Sequence, residues 1–356
     1  MKNLWLVPIE PIETRYTKHW YEYLQGQIEN NCPGFRVFSI EGELPAKSSN
    51  TPGAFFNFAD TMAYKSDQAK TIAECFSDGM VKDGDVFLFT DYWNPTAHNV
   101  RYMADLLDIN VKIVGICHAG AWDPADLLGQ KFKNKEWSRS VEWSFEDLYD
   151  HKIFATKFSK SLYESSFGAN PKNHVTGFPM EYYDEILTPY WDIPDAPVKQ
   201  NVVVFPHRKS PEKNLGLFLA LKEACPEYEF VVAMDVCKTK DDYHNLLYRS
   251  KLAFSASLQE TLGISMGIEA LRCGCDVLVP DRLSYREMAF AGPSRYPANV
   301  ADTYDAETNP KTVEFLAMMI RYKMNSYDMT VVRKQHDDNY EQFFKGTRFY
   351  QLLNSI

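Results

Sequence analysis

Hydrophobic and polar positions along this chain follow two rhythms. Short, nearly unbroken apolar runs read as strands, and longer stretches with apolar positions every three or four residues read as helices. The strand-like runs of the first half are "LWLVPI" (4–9), "FRVFSI" (35–40), "DVFLFTDYW" (85–93) and "VKIVGICHAG" (111–120). Helices are predicted at "TKHWYEYLQGQIE" (17–29), at "DTMAYKSDQAKTIAECFSDG" (60–79, closed by Gly79) and at about 96–108. "KIFATKFSKSLYESSFG" (152–168) reads as a strand and then a helix stopped by Gly168. The rhythm fails over "FPMEYYDEILTPYWDIPDAPVKQ" (178–200), which is rich in Pro, Asp and Tyr. It restarts with "NVVVFP" (201–206), a helix at 214–225, "YEFVVAM" (228–234), a helix at 240–250, "KLAFSAS" (251–257), a helix near 265–273 and "CDVLVP" (275–280). Residues 310–356 are mostly helical by pattern.

Strand–helix alternation predicts parallel sheets covered on both faces. The break predicts two α/β domains, 1–180 and 201–335, joined by a linker at 181–200, and a length of 356 residues suits two cores better than one. Ligands of such sheets bind beyond the carboxyl ends of the strands, so chemistry-bearing residues are expected just after strands.

Composition narrows the picture. Lys plus Arg is 38 against 48 Asp plus Glu, a formal net charge of −10, which excludes a whole-chain basic field for nucleic acid or anionic membrane but not a local patch. The seven cysteines (Cys32, Cys75, Cys117, Cys225, Cys237, Cys273, Cys275) are scattered with no CxxC pair. They read as reduced thiols, neither a disulfide framework nor a zinc site. "MKNLWLVPIEPIE" lacks the apolar core of a signal peptide, and no apolar run approaches the roughly 18–20 residues that span a bilayer. A cytoplasmic protein with no membrane partner is expected.

Two constellations carry chemistry. In "VVVFPHRKSPEKNLGLFLALKEA" (202–224), Arg208 and Lys213 follow a strand end and precede a helix. Two cations beside a helix N-terminus form an anion site, and a solvated basic loop is the competing interpretation. In "SLQETLGISMGIEALRCGCDVLVP" (257–280), Glu260 lies in the loop, Gly263 permits close backbone approach, a helix begins near Ser265 and Glu269 falls one turn inside it. A helix start favours phosphate, and a carboxylate accepts from two hydroxyls. Acids around a phosphate-binding turn therefore point to a nucleotide and a sugar.

These stretches resemble a family. "HRKSPEKN" is similar to the "GR…PEKG" loop of the GT-B glycosyltransferases, specifically the large retaining group of sugar-nucleotide enzymes, and "YRSKLAFSASLQETLGISMGIEALRCGCDVLVPD" (248–281) resembles their paired-glutamate segment. "VKIVGICHAG" and "YDHKIFATKFSKSLYESSFGANPKNHVTGFPM" (149–180) resemble two N-terminal segments of the same family, in the same order, over roughly residues 85–290. The resemblance implies two Rossmann-like domains facing across a cleft, with a C-terminal helix (336–356) crossing back to the first. It implies transfer of a hexose or pentose from a nucleoside-diphosphate sugar, most readily a UDP-sugar, to a hydroxyl acceptor, with retention and with neither cofactor nor metal. In its terms Arg208 and Lys213 hold the diphosphate, Glu269 the ribose, and Glu260 with the backbone of Gly263, Ile264 and Ser265 the transferred sugar. His118 faces sugar and acceptor. The stretch after "YEFVVAM" is shorter than in the family, and Asp235 there is a candidate to face the nucleobase. "DGD" (83–85) has the letters of a metal motif but sits before a strand and reads as a turn.

The departures from the family are specific. Eight residues separate Glu260 from Glu269, where the family has seven, so either the loop bulges or Glu260 is not the equivalent residue. The family's glycine-rich first loop is replaced by "PIEPIETRYTKHW" (8–20), which makes Arg15, Tyr16 and Trp20 candidates for an unusual acceptor site or parts of an ordinary turn. A small molecule or soluble glycan is the default acceptor. DNA bearing hydroxymethylated pyrimidines, as taken by phage-type GT-B enzymes, is an alternative that rests on the cations and aromatics of "KFKNKEWSR" (131–139), and Trp122, Lys131, Lys133 and Lys135 are further acceptor-binding candidates. A protein that binds nucleotide or glycan without transfer is a third reading.

Overall fold

In the computed structural model, which describes residues 1–13, 15–45 and 56–356, the chain divides into two compact units. The first comprises Met1–Met180 and Gly346–Ile356, and the second Glu181–Lys345.

The first unit runs β1 (Lys2–Val7), α1 (Tyr16–Asn31), β2 (Phe35–Ser39), α2 (Phe58–Ser77), β3 (Val86–Phe89), α3 (Thr96–Leu106), β4 (Lys112–Cys117), α4 (Leu127–Lys131), α5 (Lys135–Leu148), β5 (His151–Phe154), α6 (Lys157–Phe167) and β6 (Asn173–Val175). Among the described residues its strands form one parallel sheet in the order β2-β1-β3-β4-β5-β6. Helix starts are set locally. Asn57 caps α2, and Thr156 with Ser159 forms a capping box on α6, which ends at Gly168 with φ 85°. Fully apolar strands such as "VFLF" are buried along their whole length, as a sheet covered on both faces requires. Trp5, Phe87, Phe89, Phe145 and Tyr149 fill the core between sheet and helices.

The second unit runs α7 (Tyr183–Ile186), β7 (Gln200–Phe205), α8 (Leu215–Ala224), β8 (Glu229–Val232), α9 (Ala233–Val236), α10 (Lys240–Arg249), β9 (Ser250–Phe254), β10 (Asp276–Pro280), β11 (Arg295–Tyr296), α11 (Pro310–Asn325) and α12 (Met329–Asn339). Its sheet is also parallel, in the order β11-β10-β9-β7-β8. Val203, Phe205, Phe218, Phe254 and Leu278 form its core. The last helix, α13 (Thr347–Ser355), belongs to the first unit.

Each sheet reverses its strand order once, at β1/β3 and at β7/β9. The crevice beyond the carboxyl ends of such a strand pair is where open α/β sheets bind ligands.

Three expectations change. The segment 181–200 is not a free linker. Tyr182, Tyr183 and Leu187 are buried in the second unit, and Asp184 pairs with Arg272 at 2.8 Å. The chain returns to the first unit at Gly346, ten residues later than 336. The helix near 265–273 is π-helical over Ser265–Ala270.

The "DGD" turn is structural. Asp85 accepts from Asn3 and from the Trp5 indole, and Asp83 accepts from the Asn110 N–H. The seven cysteines are all free thiols. Among the described residues no helix is long and apolar enough to cross a membrane.

Candidate functional site

At the switch point of the second sheet the strand-end loops of β7 and β9 are tied together. The Leu258 N–H donates to the Glu212 carbonyl at 2.7 Å. Lys213 donates to the Gln259 carbonyl at 2.6 Å and to Glu260 Oε2 at 3.2 Å. Glu260 Oε1 accepts from the Gly263 N–H at 3.0 Å. Burial is the largest influence on Glu260 and opposes its ionisation, but the charge and hydrogen bond of Lys213, the neighbouring His207 and the Gly263 N–H together outweigh it, and the carboxyl pKa lies below its ordinary value. Arg208 is held by Glu212 Oε1, which accepts from its Nη2 at 2.6 Å, and by the Ser210 hydroxyl, which accepts from its Nε at 2.9 Å. Gly263 sits at φ 64°, and a Cβ there would meet Tyr285 Cε1 at 2.6 Å. Behind the loop, Ser255 bonds Ser257 and Tyr285, and Arg282 donates to the Ala256 and Ser257 carbonyls.

Glu269 is 2 % exposed and fully engaged. Its Oε1 accepts from Tyr183 at 2.9 Å and from Lys240 at 2.7 Å, its Oε2 from Tyr243 at 3.3 Å, and His244 Nε2 stands 3.9 Å away. Burial works against the charge, but Lys240 and His244 outweigh it and hold the pKa far below the ordinary carboxylate range. Asp235 lies on α9, half-exposed, and pairs with Lys209. Ile264 and Ser265 open the π-turn. The second unit thus collects Arg208, Lys213, Glu260, Gly263, Ile264 and Ser265 around one loop pair, with Glu269 anchored one turn behind.

Several residues here escaped the sequence pattern. His207, one position before Arg208, is buried, and its Nε2 has no hydrogen-bond partner among the described residues. Burial first and then Lys213 push its pKa down to about 3, so it is a neutral imidazole among charges. Its adjacency to Arg208 was the available signal. Lys240, Tyr183 and Tyr243 are far from Glu269 in sequence, and only the Thr239 capping box fixes the helix that aims Lys240 and Tyr243 at it.

In the first unit His118 follows β4. Its Nε2 donates to the Thr90 carbonyl at 2.6 Å, so Nδ1 is the acceptor for the Tyr16 hydroxyl at 2.7 Å. Burial lowers its pKa despite the opposing charge of Asp91. Both ring nitrogens are therefore engaged inside this unit. Tyr16 and Trp20 stand around the same ring with Phe178, but Trp20 is buried and donates its indole N–H to the Pro179 carbonyl. Arg15 is the N-cap residue of α1 and makes no side-chain cap bond. Trp122 packs edge-on to Tyr92 and Tyr163 in the core, away from the exposed Lys131 and Lys133. Lys135 bonds the Gly129 carbonyl. The structure brings Tyr16, Trp20 and His118 together, packs Trp122 against the core, and leaves Lys131, Lys133 and Lys135 on α4, α5 and the loop between them.

Among the described residues no group of three or more His, Cys, Asp or Glu side chains could hold a metal ion.

No protein-family model and no curated protein sequence matches the chain. Solved structures do. HepE of Anabaena in complex with UDP is similar with a TM-score of 0.59 at 12% identity, covering 100% of this chain and 99% of that one. The sucrose-phosphate synthase of Thermosynechococcus elongatus gives 0.64 at 11%, with 100% of both chains covered. A glycosyltransferase from Rickettsia africae gives 0.60 at 14%, covering 99% and 97%. At these identities the likeness is one of fold, and the chain has the GT-B fold that these structures share.

Proposed function

We propose that the protein is a glycosyltransferase that moves a sugar from a nucleoside-diphosphate sugar, most readily a UDP-sugar, to a hydroxyl group. The observation that carries this reading is the convergence of Arg208, Lys213, Glu260 and the Gly263 backbone at the switch point of the second sheet. The fold supports it, since HepE has also been solved with UDP-glucose and with UDP and glucose.

The chemistry follows from the charges. When the bond from anomeric carbon to phosphate breaks, negative charge grows on the departing diphosphate, and fixed cations stabilise that charge most where water is excluded. Lys213 is 6 % exposed and Arg208 is held in place, so neither must be ordered during the reaction. Before donor binds, each cation is neutralised by its own acid, Glu212 or Glu260. A diphosphate would share those cations, and Glu260 would turn its oxygens to hydroxyls of the transferred sugar. For Glu269 to hold the ribose, the donor hydroxyls would have to replace the Tyr183 and Lys240 donors that occupy its Oε1 in the free protein. Retention at the anomeric carbon is the finer part of the proposal. Metal independence is another, because Arg208 and Lys213 supply the charge that a divalent ion otherwise brings.

A thermal-shift screen of UDP-, GDP- and ADP-sugars tests the donor, since a ligand that binds only the folded state raises the melting point. A shift with one nucleotide series is expected, and none with any would sink the reading. Lys213→Ala should lower turnover tenfold or more, and turnover should persist with EDTA present.

A further inference from the structure

Two half-open tryptophans stand on the α5 face of the first unit, and the donor reading leaves them unused. Tryptophan is highly buried on average, yet Trp137 and Trp143 are 48 % and 47 % exposed. Each is braced from within by another ring. Phe132 stands edge-on to Trp137 with centroids 4.9 Å apart, and Phe167 edge-on to Trp143 at 5.3 Å. Phe132 in turn packs on Trp93, in the loop after β3, at 5.7 Å. The two indoles are therefore held in place while much of each ring is open to solvent.

The same face is cationic in a chain whose net charge is −10. Phe132 is turned inwards, and its neighbours Lys131 and Lys133 are exposed. Arg139 is exposed one helical turn before Trp143. Among the described residues no carboxylate lies within ion-pair distance of these three cations. Lys135 is committed to the Gly129 carbonyl. The nearby acids are occupied. Asp126 caps α4 through the Leu128 N–H, and the buried Glu142 accepts from the Ala121 N–H and the Trp93 indole. Within residues 131–139 only Glu136 opposes the cations. The exposed α5 positions around the tryptophans are Glu136, Ser140, Ser144 and Asp147, so α5 offers each ring singly and not as part of an apolar stripe that a bilayer would take up.

We propose that this face binds single-stranded nucleic acid, its phosphates paired with Lys131, Lys133 and Arg139 and its bases stacked on Trp137 and Trp143. Every base has a π-face, so a held aromatic ring takes any of them, while cations alongside follow the backbone. A duplex keeps its base faces stacked on one another, so the tryptophans select the single strand. The negative charge of the rest of the chain confines the strand to this face. The inference goes beyond glycosyl transfer and stands or falls without it.

The test titrates the intact protein into a short, mixed-sequence DNA strand labelled with fluorescein and follows its anisotropy. Saturable binding is expected at low salt. The logarithm of the association constant should fall against the logarithm of salt concentration with a slope of about −2, since three phosphate contacts each contribute about 0.7 on a single strand. Trp137→Ala and Trp143→Ala should each weaken binding about tenfold, and Trp143→Phe should weaken it less. Lys131→Gln combined with Lys133→Gln should flatten the salt slope. Those two lysines are exposed and outside the core, so this variant should melt at the wild-type temperature, and its loss of affinity cannot be put down to unfolding. No binding to the strand would overturn the proposal, as would equal affinity in wild type and all variants. Tighter binding of the matching duplex would remove the stacking role. Binding to phosphatidylglycerol vesicles without binding to the strand would assign the face to a membrane instead.

Discussion

Glu269 shows how much one buried residue can depend on its company. Two tyrosine hydroxyls and the Lys240 ammonium bond a carboxylate that has almost no contact with water. Removing one partner of a buried pair leaves a charge uncompensated, at a cost of about 3–5 kcal/mol. Lys240 is about a quarter exposed, so Lys240→Met should sit at the low end, about 3 kcal/mol in a denaturant titration at pH 7. The sign with pH is fixed by the pKa of Glu269, which lies below its ordinary value in the fold. Its contribution is present above the ordinary carboxylate range and fades as pH falls through it, so the gap between wild type and Lys240→Met should narrow from pH 5 downwards. A gap independent of pH would mean that Lys240 acts by packing alone. Glu142 behaves in the opposite sense. Its carboxyl accepts from the Ala121 N–H at 2.6 Å and the Trp93 indole at 2.8 Å, yet burial dominates and pushes its pKa up to about 7. An acid raised in the fold weakens the protein as pH climbs from about 4.5 to 7, because ionising it there costs more than in the unfolded chain. Glu142→Gln should therefore raise the melting temperature at pH 8 more than at pH 5.

Elements show where the sequence was readable and where it was not. The turn that carries Gly263 needs a residue at φ 64° with no side chain, since a left-handed backbone costs other residues about 1–2 kcal/mol and a Cβ would strike Tyr285. Gly263→Ala should destabilise the protein by at least that much and weaken the thermal shift given by the nucleotide sugar. A variant with wild-type shift and stability would show that the turn tolerates a side chain. This glycine and its acids were legible because loop chemistry is local. The eight-residue spacing from Glu260 to Glu269 left two possibilities, and the structure places a π-turn at Ser265–Ala270 inside that spacing. A π-turn takes up one residue more than an α-turn, so Glu260 still bonds the Gly263 N–H while Glu269 keeps its buried partners. No local rule foretells a π-turn, because it follows from what both of its ends must reach. The 181–200 segment misled for a related reason. Its prolines and acids read as a linker, but Tyr183 and Asp184 are fixed by Glu269 and Arg272, 86 and 88 positions away. The alternation of strands and helices was readable where parallel strands buried on both faces leave unbroken apolar runs, but α4, α5 (Lys135–Leu148) and the short β6 and β11 were not anticipated.

At the scale of the whole molecule, the chain builds the first unit, then the second, and then returns to finish the first. The return is made by α13. Phe349 and Leu353 are completely buried there, Tyr350 nearly so, and Asn354 donates to the Asn31 carbonyl at 3.0 Å. Burying three such side chains contributes roughly 1.5–3 kcal/mol each, an upper estimate of about 4.5–9 kcal/mol in all. That rivals the entire stability of a typical domain, about 5–15 kcal/mol. Deleting residues 346–356 should therefore unfold or strongly weaken the first unit while leaving the switch-point loops of the second intact. Intrinsic fluorescence separates the two, since six of the seven tryptophans (Trp5, Trp20, Trp93, Trp122, Trp137, Trp143) lie in the first unit and only Trp191 in the second. The truncated protein should lose most of its fluorescence transition, or show it at a much lower temperature, yet still bind the nucleotide that stabilises the full chain. If nucleotide binding and the tryptophan transition vanished together, the two units would be one cooperative body. The final helix would then support the donor site as directly as it supports the first sheet.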